Sequence, residues 1–450
     1  MLSSIIYKEI FNCYTCVGNF SFNDRDFTSE FYLVQYNDGK IDLIILGFST
    51  LYFMERFSLR DNSCSISAKL IDDSVSVRID EAIISNVSFN VGNGKLTYAI
   101  LNVFNPVIME LNSSVELNAD SILVYLTNFL NNPTKNGDFH RFNIENNDYL
   151  IEFKGIHDFS EYKELLYEHK EDVLITSMAK INLKNQDVDI VDEISKLTYL
   201  MSYINRTHIS PVCFNFYHNG DLIKRILYPA LTTKFSNKEK LIETKNIKYF
   251  IEKCFPIFLE NYNDFSLNIV ISIYLESLLS NYVDSSYILL ILALESFLLA
   301  HENQCKNNGE IINPSSINRI KNIMTDFFSE KEYDIDVDDL ELLAEKVAYG
   351  NTSLIEKLSL LKKKEKFKSN LNLKPEDYDF PTIRNKIMHT GKVPKEINFS
   401  KGKREINIAR EYHRMLFLLD KIILSLLEYD GVFNDYLNKK ETSFDKKRDG

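Results

Sequence analysis

Hydrophobic and polar positions alternate with a period of two through the first half of the chain. The runs Phe31–Tyr36 and Ile41–Leu46 flank Asn37-Asp38-Gly39, which predicts a strand, a turn and a strand. A second such unit is predicted where Val212–Tyr217 and Leu222–Leu227 flank His218-Asn219-Gly220-Asp221. Shorter strand-like runs occur at Ser65–Leu70, Val75–Ile79 and Leu150–Phe153. Helical spacing interrupts them near Glu161–Leu166 and over Asp192–Tyr203. Beyond an Asn- and Lys-rich hinge at Phe235–Asn246 the period becomes 3.6. Helices are predicted over Tyr249–Leu259 (kinked or broken at Pro256), Leu267–Leu279, Ser285–His301, Pro314–Ser329, Leu340–Tyr349, Ser353–Lys364, Asp379–His389 and Arg404–Tyr429. Ser353 and Glu356 form a capping box, and Gly391 and Pro394 are placed to stop the helix before them. The last helix shows a near-heptad stripe of Ala409, Tyr412, Leu416, Leu419, Ile423 and Leu426.

The expected fold class is therefore α+β. A β-rich domain over residues 1–235, sandwich-like or a strongly curved single sheet, precedes a helical linker at 236–262. An all-α bundle follows over 263–440, and a charged, frayed tail closes the chain from Lys439, with 441–450 as its own segment.

Composition narrows the function classes. With 45% hydrophobic and 12% aromatic residues in 450, the chain can bury more than one core. The segment MLSSIIYKEIFNCY shows no basic-then-apolar leader pattern. The most apolar run, Tyr287–Ala300, is too short to span a bilayer and carries Glu295, so it reads as a buried core helix. Six scattered cysteines are not a secreted disulfide framework, and a cytoplasmic protein without a membrane partner is expected. Cys13 and Cys16 have CxxC spacing but lack further ligands nearby, and they read as half-buried strand residues. No cofactor or metal site is implied by residue spacing.

The net charge of −12 argues against non-specific coating of nucleic acid, yet the charge is uneven. Residues 360–410 hold 14 Lys and Arg against 6 Asp and Glu, a net +8, so the rest of the chain carries −20.

Inside that basic window lies Arg384-Asn385-Lys386-Ile387-Met388-His389. Histidine moves protons at neutral pH. Arginine clamps phosphate and stabilises the extra negative charge of five-coordinate phosphorus. The pattern alone is weak, since an arginine followed by a histidine at such spacing arises by chance roughly 0.7 times in a chain of this composition. The helical setting adds weight. Residues five apart on a helix sit about 140° from each other, so one chain presents Arg384 and His389 on different faces. Two copies related by a two-fold axis can bring both Arg–His pairs into one cleft, with the two His389 side chains across it. Glu295 interrupts a helix that is otherwise apolar nearly all round, and a carboxylate there needs a partner. Arg384 is the natural one. Lys386 and Lys392, with Arg410 and Arg414 on the last helix, are candidate phosphate contacts. For the Arg410, Arg414 and Lys421 face, with His413 beside it, a solvated surface is the leading reading and phosphate contact the alternative. The histidines at 140, 157, 169, 208 and 218 are isolated and read as structural or surface residues.

Leu292–Phe297 around Glu295, Ser353–Leu358 and Ile383–Gly391 resemble the bundle of HEPN-domain ribonucleases. The β-rich N-terminal half, with Val17-Gly18-Asn19-Phe20 near its start and a hairpin ending at Ile226-Leu227, is similar to the ApeA-type anti-phage members. The resemblance implies a metal-independent endoribonuclease of abortive phage defence that cuts tRNA or other structured RNA. By position it implies that Arg384 and His389 are the catalytic pair, Asn385 the polar residue beside them, and Glu295 the helix acid. Met388 departs from the small polar residue that often precedes the histidine. The resemblance also implies a homodimer through the bundle and a sensor domain that answers a phage-derived trigger. The competing function class is a non-catalytic bundle that binds a nucleotide or a protein.

Overall fold

The computed structural model describes residues 10–22, 25–46, 63–71, 75–83, 91–92, 95–96, 98–111, 118–129, 142–145, 148–155, 173–185, 188–230, 236, 238–307, 354–368, 371, 379–390, 392–399, 402–435 and 440–443. The chain divides into two compact units, Met1–Glu239 and Lys240–Gly450. The helices expected at Glu161–Leu166, Pro314–Ser329 and Leu340–Tyr349, together with Ser353, Gly391 and the histidines at 140, 157 and 169, lie outside the described residues.

The first unit is built on strands β1 (Ile10–Phe22), β2 (Arg25–Tyr36), β3 (Ile41–Leu46), β4 (Ser63–Leu70), β5 (Val75–Ile83), β6 (Val91–Gly92), β7 (Lys95–Leu96), β8 (Tyr98–Val103), β9 (Val107–Leu111), β10 (Ser121–Thr127), β11 (Phe142–Glu145), β12 (Tyr149–Gly155) and β13 (Ile175–Leu183), helix α1 (Ile190–Asn205), and strands β14 (Pro211–His218) and β15 (Asp221–Leu227). Thirteen strands form one sheet in the order β11-β12-β13-β10-β14-β15-β9-β5-β4-β1-β2-β3-β8, while β6 and β7 pair separately. The expected β-rich domain is thus one continuous antiparallel sheet. Both predicted turns close their hairpins. Gly39 takes φ +78°, and Asn219 and Gly220 take +52° and +90°, the left-handed pair that a two-residue turn between twisted strands requires.

The sheet curls back on itself. Gln35 Nε2 donates to the Val212 carbonyl at 2.8 Å, and the Ile175 N–H donates to the Asn37 carbonyl at 2.9 Å, so the end of β2 meets β14 and β13. Period-two alternation fills the curl with Cys16, Phe20, Leu33, Leu43, Ile66, Val77, Ile79 and Met109, all buried. Cys13 and Cys16, three apart on β1, point to opposite faces, so Cys13 is exposed and Cys16 buried, not two half-buried residues as expected. Burial pushes the Cys16 thiol up to about 12. The other four cysteines are also free and buried.

Gly18 sits opposite Ala68 in the β1–β4 ladder, and a Cβ on it would run into the Ala68 side chain and the Ser67 carbonyl. Gly18→Ala is expected to lower stability by about 1–3 kcal/mol through overpacking. Denaturant unfolding checks this, and an unchanged midpoint would contradict it.

On α1 the buried residues Ile190, Ile194, Leu197, Met201 and Ile204 follow helical spacing, and the helix meets β14. Asp189 caps it by accepting from the Asp192 N–H at 3.2 Å.

The second unit holds α2 (Ile247–Asn261), α3 (Leu267–Leu279), α4 (Val283–Asn307), α5 (Leu354–Lys363), α6 (Glu365–Lys368), α7 (Phe380–Thr390), strands β16 (Glu396–Phe399) and β17 (Gly402–Glu405), α8 (Ile408–Leu426), and strands β18 (Val432–Asp435) and β19 (Lys440–Ser443). It is helical but not all-α, because β16–β17 and β18–β19 are antiparallel hairpins. Arg404 therefore lies in a strand and does not open the last helix. Asn407 caps that helix, its Oδ1 accepting from the Arg410 N–H. Lys440–Ser443 pairs with β18, so the tail expected to fray from Lys439 is strand there, while residues 444–450 lie outside the described residues. Pro256 leaves α2 unbroken, since it lies on the exposed face where water can take the freed Glu252 carbonyl. Phe250 of α2 meets Tyr429 edge-on at 4.9 Å, which ties this segment into the second unit.

Helix α4 is the centre, touching α3, α5, α7 and α8. It runs further at both ends than expected, and among the described residues its span Val283–Cys305 is the one long and apolar enough to cross a membrane by length and composition. Here it buries Tyr287, Leu290, Ile291, Leu294, Phe297 and Leu298 against its neighbours.

Candidate active site

Helix α7 shows why its side chains point as they do. Phe380, Ile383 and Ile387 recur at three and four residues and are buried, fixing the inward face. Arg384 follows Ile383 by one position and is left half-buried, while Asn385, Lys386, Met388 and His389 are exposed. The Arg384 guanidinium lies 3.2 Å from Glu295 Oε2 on α4 and also donates to Asn385 Oδ1 at 3.1 Å. The side chains of Arg384 and Glu295 keep 32% and 28% exposure, so solvent screens the pair and its value is orientation more than stability. This is the partner that the carboxylate in α4 was expected to find.

The helix ends at Thr390, whose hydroxyl lies 2.7 Å from the Lys386 carbonyl and receives the Lys392 N–H at 3.3 Å. His389 stands in this last turn, where the helix dipole complements a positive charge. It makes no hydrogen bond or ion pair with any described residue. The structure therefore brings Arg384, Asn385 and Glu295 together and leaves His389 facing outward on another side of α7. Lys386, Lys392 and Arg410 are exposed cations without an ion pair among the described residues.

Arg414 differs from expectation. It is 13% exposed and pairs with Glu411 Oε2 at 3.4 Å, so its charge is committed within the unit and it is not a free phosphate contact. The stripe on α8 is also broader than a heptad seam. Ala409 is exposed, whereas Met415, Leu418 and Ile422 join the buried set.

The residue that sequence reasoning missed is Arg404. From β17 its Nη2 reaches Asp379 Oδ2 at 3.3 Å and Glu411 Oε2 at 3.2 Å, joining the first turn of α7 to α8. The Asp379 carbonyl in turn receives the N–H groups of Thr382 and Ile383. The β16–β17 hairpin thus pins the start of the helix that carries Arg384. Ile397 in β16 and Ile406 just after β17 are both buried, but strands of four residues are too short for an alternating pattern to stand out. Among the described residues, no group of three or more His, Cys, Asp and Glu is arranged to hold a metal ion. Set against protein-family models, curated proteins and solved structures, the chain matches none of them.

Proposed function

We propose that the second unit is a HEPN-type endoribonuclease, similar to the ApeA-type nucleases of anti-phage defence, which cuts RNA, tRNA foremost, in the cytoplasm without a metal ion in the chemical step. The observation that carries this reading is Arg384, oriented by Glu295 and Asn385 on the same helix as an exposed and uncommitted His389. In this reaction the ribose 2′-oxygen attacks its own phosphorus and the bond from phosphorus to O5′ breaks. His389 takes the 2′-hydroxyl proton and returns a proton to the departing O5′. Arg384 stabilises the added charge on the phosphorane. The products are a 2′,3′-cyclic phosphate and a 5′-hydroxyl. Lys386, Lys392 and Arg410 supply further positive charge for the phosphate backbone.

A second copy of the chain completes the site. Leu292 and Leu299, 37% and 51% exposed, lie about one turn before and after Glu295, and Met388, 63% exposed, lies one turn beyond Arg384. These apolar side chains beside an ion pair suit burial in a two-fold interface.

Purified protein incubated with tRNA in excess chelator is expected to cleave it and leave cyclic phosphate ends. An absolute need for a divalent ion in the chemical step contradicts the mechanism. RNA or nucleotide binding without cleavage favours the non-catalytic bundle instead.

A further inference from the structure

Strands β14 and β15 place Cys213 opposite Leu227 and Asn215 opposite Arg225, and Cys213 and Leu227 belong to the core inside the curl. Tyr125 of β10 pairs with Cys213 from the other side. In sheet order β1 is separated from β15 by three strands, yet its Tyr14 reaches Arg225 across the interior. Arg225 Nε donates to Asn215 Oδ1 at 2.6 Å, and its Nη1 donates to the Tyr14 hydroxyl. The guanidinium carbon lies 5.6 Å from the Tyr14 ring centre, and Phe11 meets Tyr125 edge-on at 4.9 Å, so aromatic rings wall the cluster. Arg225 is thereby fixed in place.

Among the described residues its charge is not balanced. No carboxylate among the described residues pairs with it. The two acidic neighbours, Tyr14 and Cys213, stay protonated at neutral pH. Burial pushes the Tyr14 phenol and the Cys213 thiol each up to about 12, although Arg225 pulls both the other way. A cation half-removed from water without a counter-charge is costly, and an apolar side chain of similar size is often the more stable choice. Of the five guanidinium N–H groups, two are engaged. The remaining three, and the O–H groups of Tyr14 and Tyr125, have no acceptor among the described residues.

We propose that Arg225, Tyr14 and Tyr125 form a binding site for a small ligand bearing an oxyanion, a phosphate or carboxylate group, inside the curled sheet of the first unit. The planar guanidinium fork matches two oxygens of such a group, the Tyr14 hydroxyl beside it can donate to the same group, and Tyr125 lines the cluster from β10. The site lies in the unit expected to answer a trigger, but it does not rest on the nuclease reading.

Calorimetric titration of the full chain tests this, with inorganic phosphate and acetate as probes at matched ionic strength. Arg225→Met, Arg225→Lys and Tyr14→Phe are compared after circular dichroism has shown each to be folded. Saturable binding of at least one probe is expected, weakened by about tenfold or more in Arg225→Met and by about threefold in Tyr14→Phe. Preference for phosphate assigns a phosphate-bearing ligand, and preference for acetate a carboxylate-bearing one. Absence of saturable binding of either probe overturns the site, as does equal affinity in wild type and Arg225→Met. Should Arg225→Met fail to fold, unchanged affinity in both Arg225→Lys and Tyr14→Phe overturns it.

Discussion

His389→Ala is expected to lower RNA cleavage by about 10²–10⁴-fold while leaving stability within about 0.5 kcal/mol of wild type. The asymmetry follows from where the side chain stands. His389 is exposed in the last turn of α7 and makes no hydrogen bond with any described residue, so removing it strands no partner among them. On the proposed mechanism, its loss removes the group that moves the proton. Arg384→Ala is expected to cost about 10²–10³-fold in rate, the scale of one electrostatic donor to a developing oxyanion. Its stability cost is about 0–1 kcal/mol, because the pair with Glu295 is screened by solvent. Single-turnover cleavage of one tRNA, read beside thermal unfolding, separates the two effects. Full activity in either variant removes the site assignment. Lost activity with a collapsed unfolding midpoint shows instead that the side chain holds the bundle together.

The parts of this molecule that were legible in the sequence are those set by neighbours in the chain. Asn37-Asp38-Gly39 and Asn219-Gly220 gave away their hairpins because left-handed backbone selects those residues. Leu267–Leu279 was read with its observed bounds from helical spacing alone. Glu295 announced a partner because a carboxylate amid leucines must find one, and Arg384 was that partner. What stayed hidden depends on register between distant strands. Arg225 lies in Lys224-Arg225, which looks like an ordinary solvent-facing pair. Only the pairing of β15 with β9 and β14, and the closure of β2 onto Val212, turns it toward Tyr14. Arg404 was hidden for a related reason. Its helical surroundings absorbed it into α8, and its two acidic partners sit 25 residues before it and 7 after it in the chain. Arg414 looks like a free cation in the sequence, but Glu411, one turn earlier, pairs with it.

A purified heterodimer of one Arg384→Ala chain and one His389→Ala chain is expected to recover up to about half of wild-type activity, although each homodimer is inactive. The geometry of α7 motivates this. Arg384 is turned inward to Glu295, and His389 points elsewhere from the same helix, so a single chain does not present both to one phosphate. Across a two-fold axis, Arg384 of one protomer can face His389 of its partner, giving two equivalent composite sites per dimer. In the heterodimer one of those sites lacks both groups and the other keeps both. Differently tagged chains, co-expressed and purified through both tags, provide the species, and cleavage per dimer is the measurement. A heterodimer as inactive as its parent homodimers, or full wild-type activity from a protein that sediments as a monomer at the assay concentration, overturns the composite site. In the second case, Leu292, Leu299 and Met388 would need another reason to be exposed beside the Glu295–Arg384 pair.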